Sequence, residues 1–203
     1  MRFFALVLLA LGCGPVAAVA QADPTDRGLG RATFAGGCFW CMEEAFEGVD
    51  GVVSVVSGYT GGTVAKPTYE EVSAGGTGHA ESVEIRYEPA KVTYDQLLEH
   101  FWRNIDPLAV DRQFCDGGNQ YRSAIFHHDP EQRRLAEASK RALEQSGKIK
   151  GRIATQIVEA GPFYPAEEYH QDYYRKNPTR YKFYKWSCGR AQRLAQLWGD
   201  KPH

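Results

Sequence analysis

Ala80-Glu81-Ser82-Val83-Glu84-Ile85-Arg86-Tyr87 alternates cleanly, with Val83, Ile85 and Tyr87 on one side and Ser82, Glu84 and Arg86 on the other. A period of two marks a strand with one face in a core. Before it, Arg31 to Ala35 reads as a short strand, Gly36-Gly37 as a turn, Cys38 to about Glu47 as a helix and Gly51 to Tyr59 as a valine-rich strand. A loop rich in glycine, threonine and proline, Thr60 to Gly78, joins the two halves.

After it, Thr93 and Gln96 have the form of a capping box, and Leu97, Leu98, Phe101, Trp102 and Ile105 follow at helical spacing. Tyr121 to His127 reads as the next strand, Asp129-Pro130 opens a charged helix to about Gln145, and Ile153 to Glu159 is a further strand. The first six elements therefore run β-α-β-β-α-β, which predicts an α/β (α+β) two-layer sandwich. Its core is the split βαβ, ferredoxin-like arrangement, a mixed sheet with helices on one face. From Gly161 the chain is proline-broken and aromatic-rich, and is expected to form a long coiled tail.

The first 22 residues have a different composition. Met1-Arg2 is a short positive start, Phe3 to Leu11 is apolar, and Ala20-Gln21-Ala22 fits the small-x-small rule for signal-peptide cleavage, giving a mature start near Asp23. The apolar run is far short of the roughly 20 residues a bilayer-spanning helix requires, so residues 1–22 read as a signal peptide for export, in a bacterium to the periplasm, and not as a transmembrane anchor. Leu11-Gly12-Cys13 partly fits a lipid-attachment box, which makes Cys13 a lesser alternative. Residues 23–203 read as one domain, a core of about 31–177 and a tail of 178–203. No coiled-coil repeat suggests assembly, so a monomer is expected.

Of the chain's 24 basic residues only Arg2 falls in the leader, and none of its 25 acidic residues does, so the mature net charge is −2. No basic field points to nucleic acid or anionic lipid. Four of the five cysteines remain after cleavage, Cys38, Cys41, Cys115 and Cys188, in a compartment that tolerates disulfides. Two structural bridges stapling a small binding domain is one reading of them.

Gly36-Gly37-Cys38-Phe39-Trp40 offers another. Cys38 stands where a strand turns into a helix, near free backbone N–H groups and the positive end of a helix dipole, and both effects are expected to lower its thiol pKa. Phe39 and Trp40 beside it have the character of a pocket wall for an apolar group. Cys38 and Cys41 also form C-x-x-C, which in isolation fits a thiol-disulfide oxidoreductase or half a zinc site. No second close pair of ligands completes a metal site, since His127-His128 are neighbours on a strand and point apart. Glu81 shares the parity of Val83 and Ile85, so its carboxyl is turned to the apolar side, where it must be paired or hold a proton, as a general acid does. Tyr69, Asp116 and Tyr121 add donors and acceptors on loops.

Six strings in order, Gly36-Gly37-Cys38-Phe39-Trp40, Gly58-Tyr59-Thr60-Gly61-Gly62, Pro67-Thr68-Tyr69, Gly78-His79-Ala80-Glu81, Gln120-Tyr121-Arg122-Ser123-Ala124-Ile125 and Glu168-Tyr169-His170-Gln171, resemble the A-type peptide methionine sulfoxide reductases. The resemblance implies thiol-dependent reduction of methionine-S-sulfoxide in oxidised proteins and peptides. It places the nucleophile on Cys38, the proton donor on Glu81, hydrogen-bonding groups on Tyr69, Asp116 and Tyr121, and the methyl pocket on Phe39 and Trp40. It implies no prosthetic cofactor or metal, and a disulfide reopened by a thioredoxin-like reductant. The resolving thiol is expected at Cys188 in Trp186-Ser187-Cys188-Gly189, with Cys115 and then Cys41 as the alternatives.

Overall fold

The computed structural model describes residues 28–199, so the expected signal peptide and Cys13 lie outside the described residues. Four strands make the centre of the sheet: β1 (Gly30–Gly36), β2 (Val52–Thr60), β3 (Ala80–Tyr87) and, after two short strands β4 (Arg112–Gln113) and β5 (Asp116–Gly117), β6 (Ser123–His127). They lie in the order β6-β1-β3-β2, all antiparallel, which is the expected ferredoxin-like arrangement. A parallel strand β7 (Gln156–Glu159) extends the β6 edge and β8 (Tyr164–Pro165) the β2 edge, making the sheet mixed.

Helices α1 (Phe39–Glu47), α3 (Tyr94–Arg103) and α4 (Pro130–Gln145) cover one face. Phe39, Met42 and Phe46, then Leu97, Leu98 and Phe101, then Ala136, meet Ala32, Phe34, Val83, Ile85 and Ile125 in a single buried cluster. These are the alternate residues that the period of two assigns to the core. Thr93 and Gln96 form the expected capping box at α3, and Asp129 caps α4 with Pro130 in its first turn.

Three local expectations are corrected. The Thr60–Gly78 segment is not all loop, because Thr68 and Glu71 make a second capping box that starts a short helix, α2 (Tyr69–Ala74). The strands expected from Tyr121 and Ile153 begin later, at Ser123 and Gln156, and Asn119–Tyr121 is a 3₁₀ turn.

The tail is helical, not coiled: α5 (Tyr173–Lys176), α6 (Pro178–Ser187) and α7 (Arg190–Trp198). Pro178 starts α6, at the one place where a missing N–H and a fixed φ cost nothing. The tail is tied down by specific bonds. Gln171 bonds both the N–H and the C=O of Ser57 at 2.9 Å, as a neighbouring strand would. Buried Arg190 donates to the carbonyl of Asn104 and lies 4.5 Å from the centre of the Phe114 ring. A charged donor held this way contributes roughly 1.5–3 kcal/mol. Together these contacts hold α6 and α7 against α1 and the 104–116 loops, and this places α6 over the start of α1.

Candidate active site

Cys38 is the N-cap of α1, immediately after β1 ends. Gly37 makes that corner with φ +85°, and a Cβ there would sit 2.5 Å from the Cβ of Gln113, so both the left-handed turn and the close approach require glycine. Glu81 comes from the neighbouring β3, opposite Tyr59 of β2, and is 3% exposed. Tyr69 opens α2, Tyr121 closes the 3₁₀ turn before β6, and Asp116 starts β5. The β4–β5 hairpin turns through Phe114 (φ +51°) and exposed Cys115.

These groups surround one cavity of about 120 Å³, lined by Cys38, Phe39, Trp40, Tyr69, Glu81, Asp116, Tyr121 and Tyr184. Every residue expected to bind or act on a substrate is in it. The eighth, Tyr184 of α6, is an addition from the tail, and its hydroxyl donates to Asp116 Oδ2 at 2.5 Å. The signal for it was present in outline, since Tyr181, Tyr184 and Cys188 recur at i, i+3 and i+7 on one helix face. Two more aromatic residues of the tail hold the pocket wall. Tyr173 stacks on Trp40 with ring centres 3.8 Å apart and 8° between planes, and the Trp40 indole N–H donates to His170 Nδ1 at 3.1 Å. His170 also lies against Phe39 and Tyr69.

The electrostatics differ from one expectation. Cys38 was expected to have a lowered pKa, but the first N–H of α1, that of Phe39, donates to Glu81 Oε2 at 3.0 Å. The helix end thus serves the carboxyl rather than the sulfur. Burial pushes the Cys38 thiol well above its ordinary value, and the adjoining Cys41 and Glu81 push the same way. Cys41, also buried, is drawn down to about 6 by a hydrogen bond from Cys38, with Arg190 nearby. Burial raises Glu81 to about 8 despite the Phe39 N–H, so the carboxyl is protonated at neutral pH, as its strand parity suggested. Burial also raises Asp116, Tyr69 and Tyr121, keeping the tyrosine hydroxyls protonated as donors.

Cys115 and Cys188 form a disulfide, while Cys38 and Cys41 are free thiols. The bridge adjoins the cavity, because Cys188 Sγ lies 3.9 Å from the Asp116 carboxylate that Tyr184 also engages. Two structural bridges therefore do not describe this chain. Among the described residues, no helix is long and apolar enough to cross a membrane.

Comparison with known proteins agrees with this geometry. The family model described as peptide methionine sulfoxide reductase matches residues 30–202. The peptide methionine sulfoxide reductase MsrA of Bacillus licheniformis is 55% identical over 84% of this chain and 94% of its own length, and that of Bacillus subtilis 52% over 84% and 96%. Among solved structures, reduced Mxr1 from Saccharomyces cerevisiae superposes with a TM-score of 0.71 at 33% identity, covering 78% of this chain and 90% of its own. Methionine sulfoxide reductase A of Corynebacterium diphtheriae does so with 0.67 at 37%, covering 77% of each. On sequence, fold and site, this chain belongs to the peptide methionine sulfoxide reductase family.

Proposed function

We propose that this protein reduces methionine-S-sulfoxide, free and in oxidised proteins and peptides, to methionine, with Cys38 as nucleophile. The observation that carries the reading is the cavity itself, where a buried thiol, a protonated carboxyl, two tyrosine hydroxyls and two aromatic rings converge. Phe39 and Trp40 hold the methyl group. Cys38 attacks the sulfoxide sulfur while Glu81, with Tyr69 and Tyr121 as hydrogen-bond donors, protonates the oxygen, so no bare oxyanion builds up. Asp116, held by Tyr184, fixes the polar side of the pocket. The sulfoxide sulfur is reduced and the Cys38 sulfur oxidised: a thiol and a sulfoxide become a sulfenic acid and a thioether. The proton released by Cys38 replaces the one Glu81 gave up.

Cys188 then condenses with the Cys38 sulfenic acid, forming a Cys38–Cys188 disulfide and one water. Attack of the Cys115 thiolate on Cys188 frees Cys38 and leaves the Cys115–Cys188 bridge, the pairing found here. A thioredoxin-like dithiol reduces that bridge, and no prosthetic group takes part. The solved complex of Saccharomyces cerevisiae Mxr1 with Trx2, 25% identical with a TM-score of 0.52, supports a partner of this kind.

Turnover of an oxidised peptide tests the relay. Cys188→Ser is expected to keep dithiothreitol-driven turnover within about threefold and to lose at least about 95% of thioredoxin-driven turnover, because the small thiol can reach Cys38 directly. Undiminished thioredoxin-driven turnover in Cys188→Ser would exclude it as the resolving thiol. A Cys41→Ser enzyme that is dead in both assays would support the C-x-x-C oxidoreductase reading, in which Cys41 is indispensable.

The reading also places the enzyme outside the cytosol, as a monomer. Residues 1–22 have the signal-peptide pattern, and the family match begins only at residue 30. The mature protein is expected in the periplasmic fraction with an intact mass starting at Asp23, and an uncleaved cytosolic chain would refute export. Its reductant is then a thiol protein of that compartment.

A further inference from the structure

Exchange of the Cys38–Cys188 disulfide for Cys115–Cys188 requires a proton at each end. Cys115 must lose one before it attacks, since an ordinary thiol, with a pKa of about 8.5, is only a few per cent thiolate at pH 7. Cys38 must gain one as it leaves, because burial holds its thiol pKa well above the ordinary value and a bare thiolate there is a poor leaving group. A chain of groups that touches both sulfurs would serve both needs at once.

Asp116 follows Cys115 in the β4–β5 hairpin, and each of its carboxylate oxygens faces one sulfur of the bridge. Oδ1 lies 3.5 Å from Cys115 Sγ and Oδ2 lies 3.9 Å from Cys188 Sγ. Tyr184, whose carbonyl accepts the Cys188 N–H one helical turn on, donates its hydroxyl to the same Oδ2 at 2.5 Å. Tyr184 also packs against Cys38, and a hydrogen bond from it opposes the effect of burial on that thiol. Its one hydroxyl proton thus has an acceptor on either side, the Asp116 carboxylate and the Cys38 sulfur. The line from Cys115 to Cys38 is continuous: thiol, carboxylate, hydroxyl, thiol. Arg190 from the tail and Glu81, Tyr69 and Tyr121 across the cavity also face the carboxylate, and burial raises its pKa, which suits it to take up a proton.

We propose that Asp116 and Tyr184 carry the Cys115 proton to Cys38 as Cys115 takes the place of Cys38 on Cys188. This rests on the reductase reading above. The Asp116 carboxylate takes the Cys115 proton, and the thiolate attacks Cys188 Sγ of the Cys38–Cys188 disulfide. The Cys115–Cys188 bond forms as the Cys38–Cys188 bond breaks, with its electron pair on Cys38. Tyr184 gives its proton to Cys38 and takes the one held by Asp116. A thiol and a disulfide become a thiol and a disulfide, with no net proton and no outside oxidant or reductant. The structure is the product of that step, with Cys38 a free thiol and the bridge between Cys115 and Cys188.

The test follows single turnovers of the reduced mature enzyme without reductant, started by one equivalent of a methionine-S-sulfoxide peptide or of hydrogen peroxide, which oxidises Cys38 to the same sulfenic acid. Acid quenching, alkylation and peptide mapping by mass spectrometry give each disulfide against time, so exchange is read separately from methionine formation. Cys115→Ser, which cannot exchange, is expected to stop at Cys38–Cys188. In Tyr184→Phe and in Asp116→Asn that disulfide is expected to accumulate and its conversion to slow about tenfold or more at pH 7, whereas Tyr174→Phe, whose hydroxyl bonds Glu47, converts as wild type does. Between pH 6 and 8 wild-type conversion is expected to be nearly level, while that of Asp116→Asn rises about tenfold per pH unit, because solvent must then remove the Cys115 proton. Conversion at the wild-type rate in either variant overturns the proposal. So does a level pH profile in a slowed Asp116→Asn, which makes Asp116 a structural part only. Methionine formed by Cys115→Ser with no Cys38–Cys188 disulfide also overturns it, and leaves the reductase reading standing. A wild type that reduces no sulfoxide sinks that reading, and this inference with it.

Discussion

Replacing Cys38 by serine is expected to abolish sulfoxide reduction, lowering kcat by about 10⁴-fold or more with either reductant, as loss of a covalent nucleophile does. The effect is absolute because no group in the cavity substitutes for it. A serine hydroxyl is far less acidic and less nucleophilic than a thiol, and it has no sulfenic acid stage through which to hand on the oxidation. Cys41 is the rival sulfur, a free thiol buried beside Cys38. It belongs to the first turn of α1, however, and it does not line the cavity, whereas Cys38, Glu81, Tyr69 and Tyr121 do. Mass spectrometry of the peptide gives the readout, the loss of one oxygen per turnover. Residual activity above about 1% of wild type in Cys38→Ser would move the nucleophile to Cys41.

The raised thiol pKa shows why the nucleophile was legible in the sequence and its electrostatics were not. Gly36-Gly37-Cys38 announces a corner between strand and helix, and that corner is present with Cys38 as N-cap. The residue that accepts the corner's N–H is settled by strand pairing. The register that sets Glu81 opposite Tyr59 brings its carboxyl to the Phe39 N–H, a contact across 42 residues that no local pattern reveals. Patterns of short range fared well: the alternation of β3, the Thr93 box and the Asp129 cap all lie where they were read. The Thr68 box is equally local but is masked by the surrounding glycines and prolines, and in the tail read as proline-broken Pro178 starts a helix. The tail's part in the site depends on packing. Tyr173, His170 and Tyr184 have meaning only once Gln171 and Arg190 fix the tail against β2 and α1. The disulfide is of the same kind, since Cys115 and Cys188 are separated by 73 residues and meet only because α6 ends beside the β4–β5 hairpin.

Glu81→Gln is expected to lower kcat by about 10²- to 10⁴-fold, the range for loss of a positioned general acid. Glutamine keeps the volume and the carbonyl that accepts the Phe39 N–H, so the loss reports the acidic proton alone. The pH profile gives the stronger signature. With its pKa raised to about 8, Glu81 is protonated below that pH and ionised above it. Wild-type kcat is therefore expected to stay level up to about pH 7 and to fall as pH rises through 8, whereas the residual rate of Glu81→Gln lacks that limb. Stability has the same sign. The folded carboxyl titrates near 8 and the unfolded one near 4.5, so the stability tied to the buried acid is complete below pH 4.5 and is lost as pH rises toward 8. Glutamine removes that dependence, and the variant is expected to gain urea resistance over wild type as pH is raised, by an amount on the order of a few kcal/mol at most. A carboxyl kept protonated for catalysis thus shows twice, as activity lost and as alkaline stability gained on the same substitution. A variant with the wild-type pH limb, or one no more resistant at pH 8 than wild type, would mean that Glu81 ionises normally and that the proton on the sulfoxide oxygen comes from elsewhere.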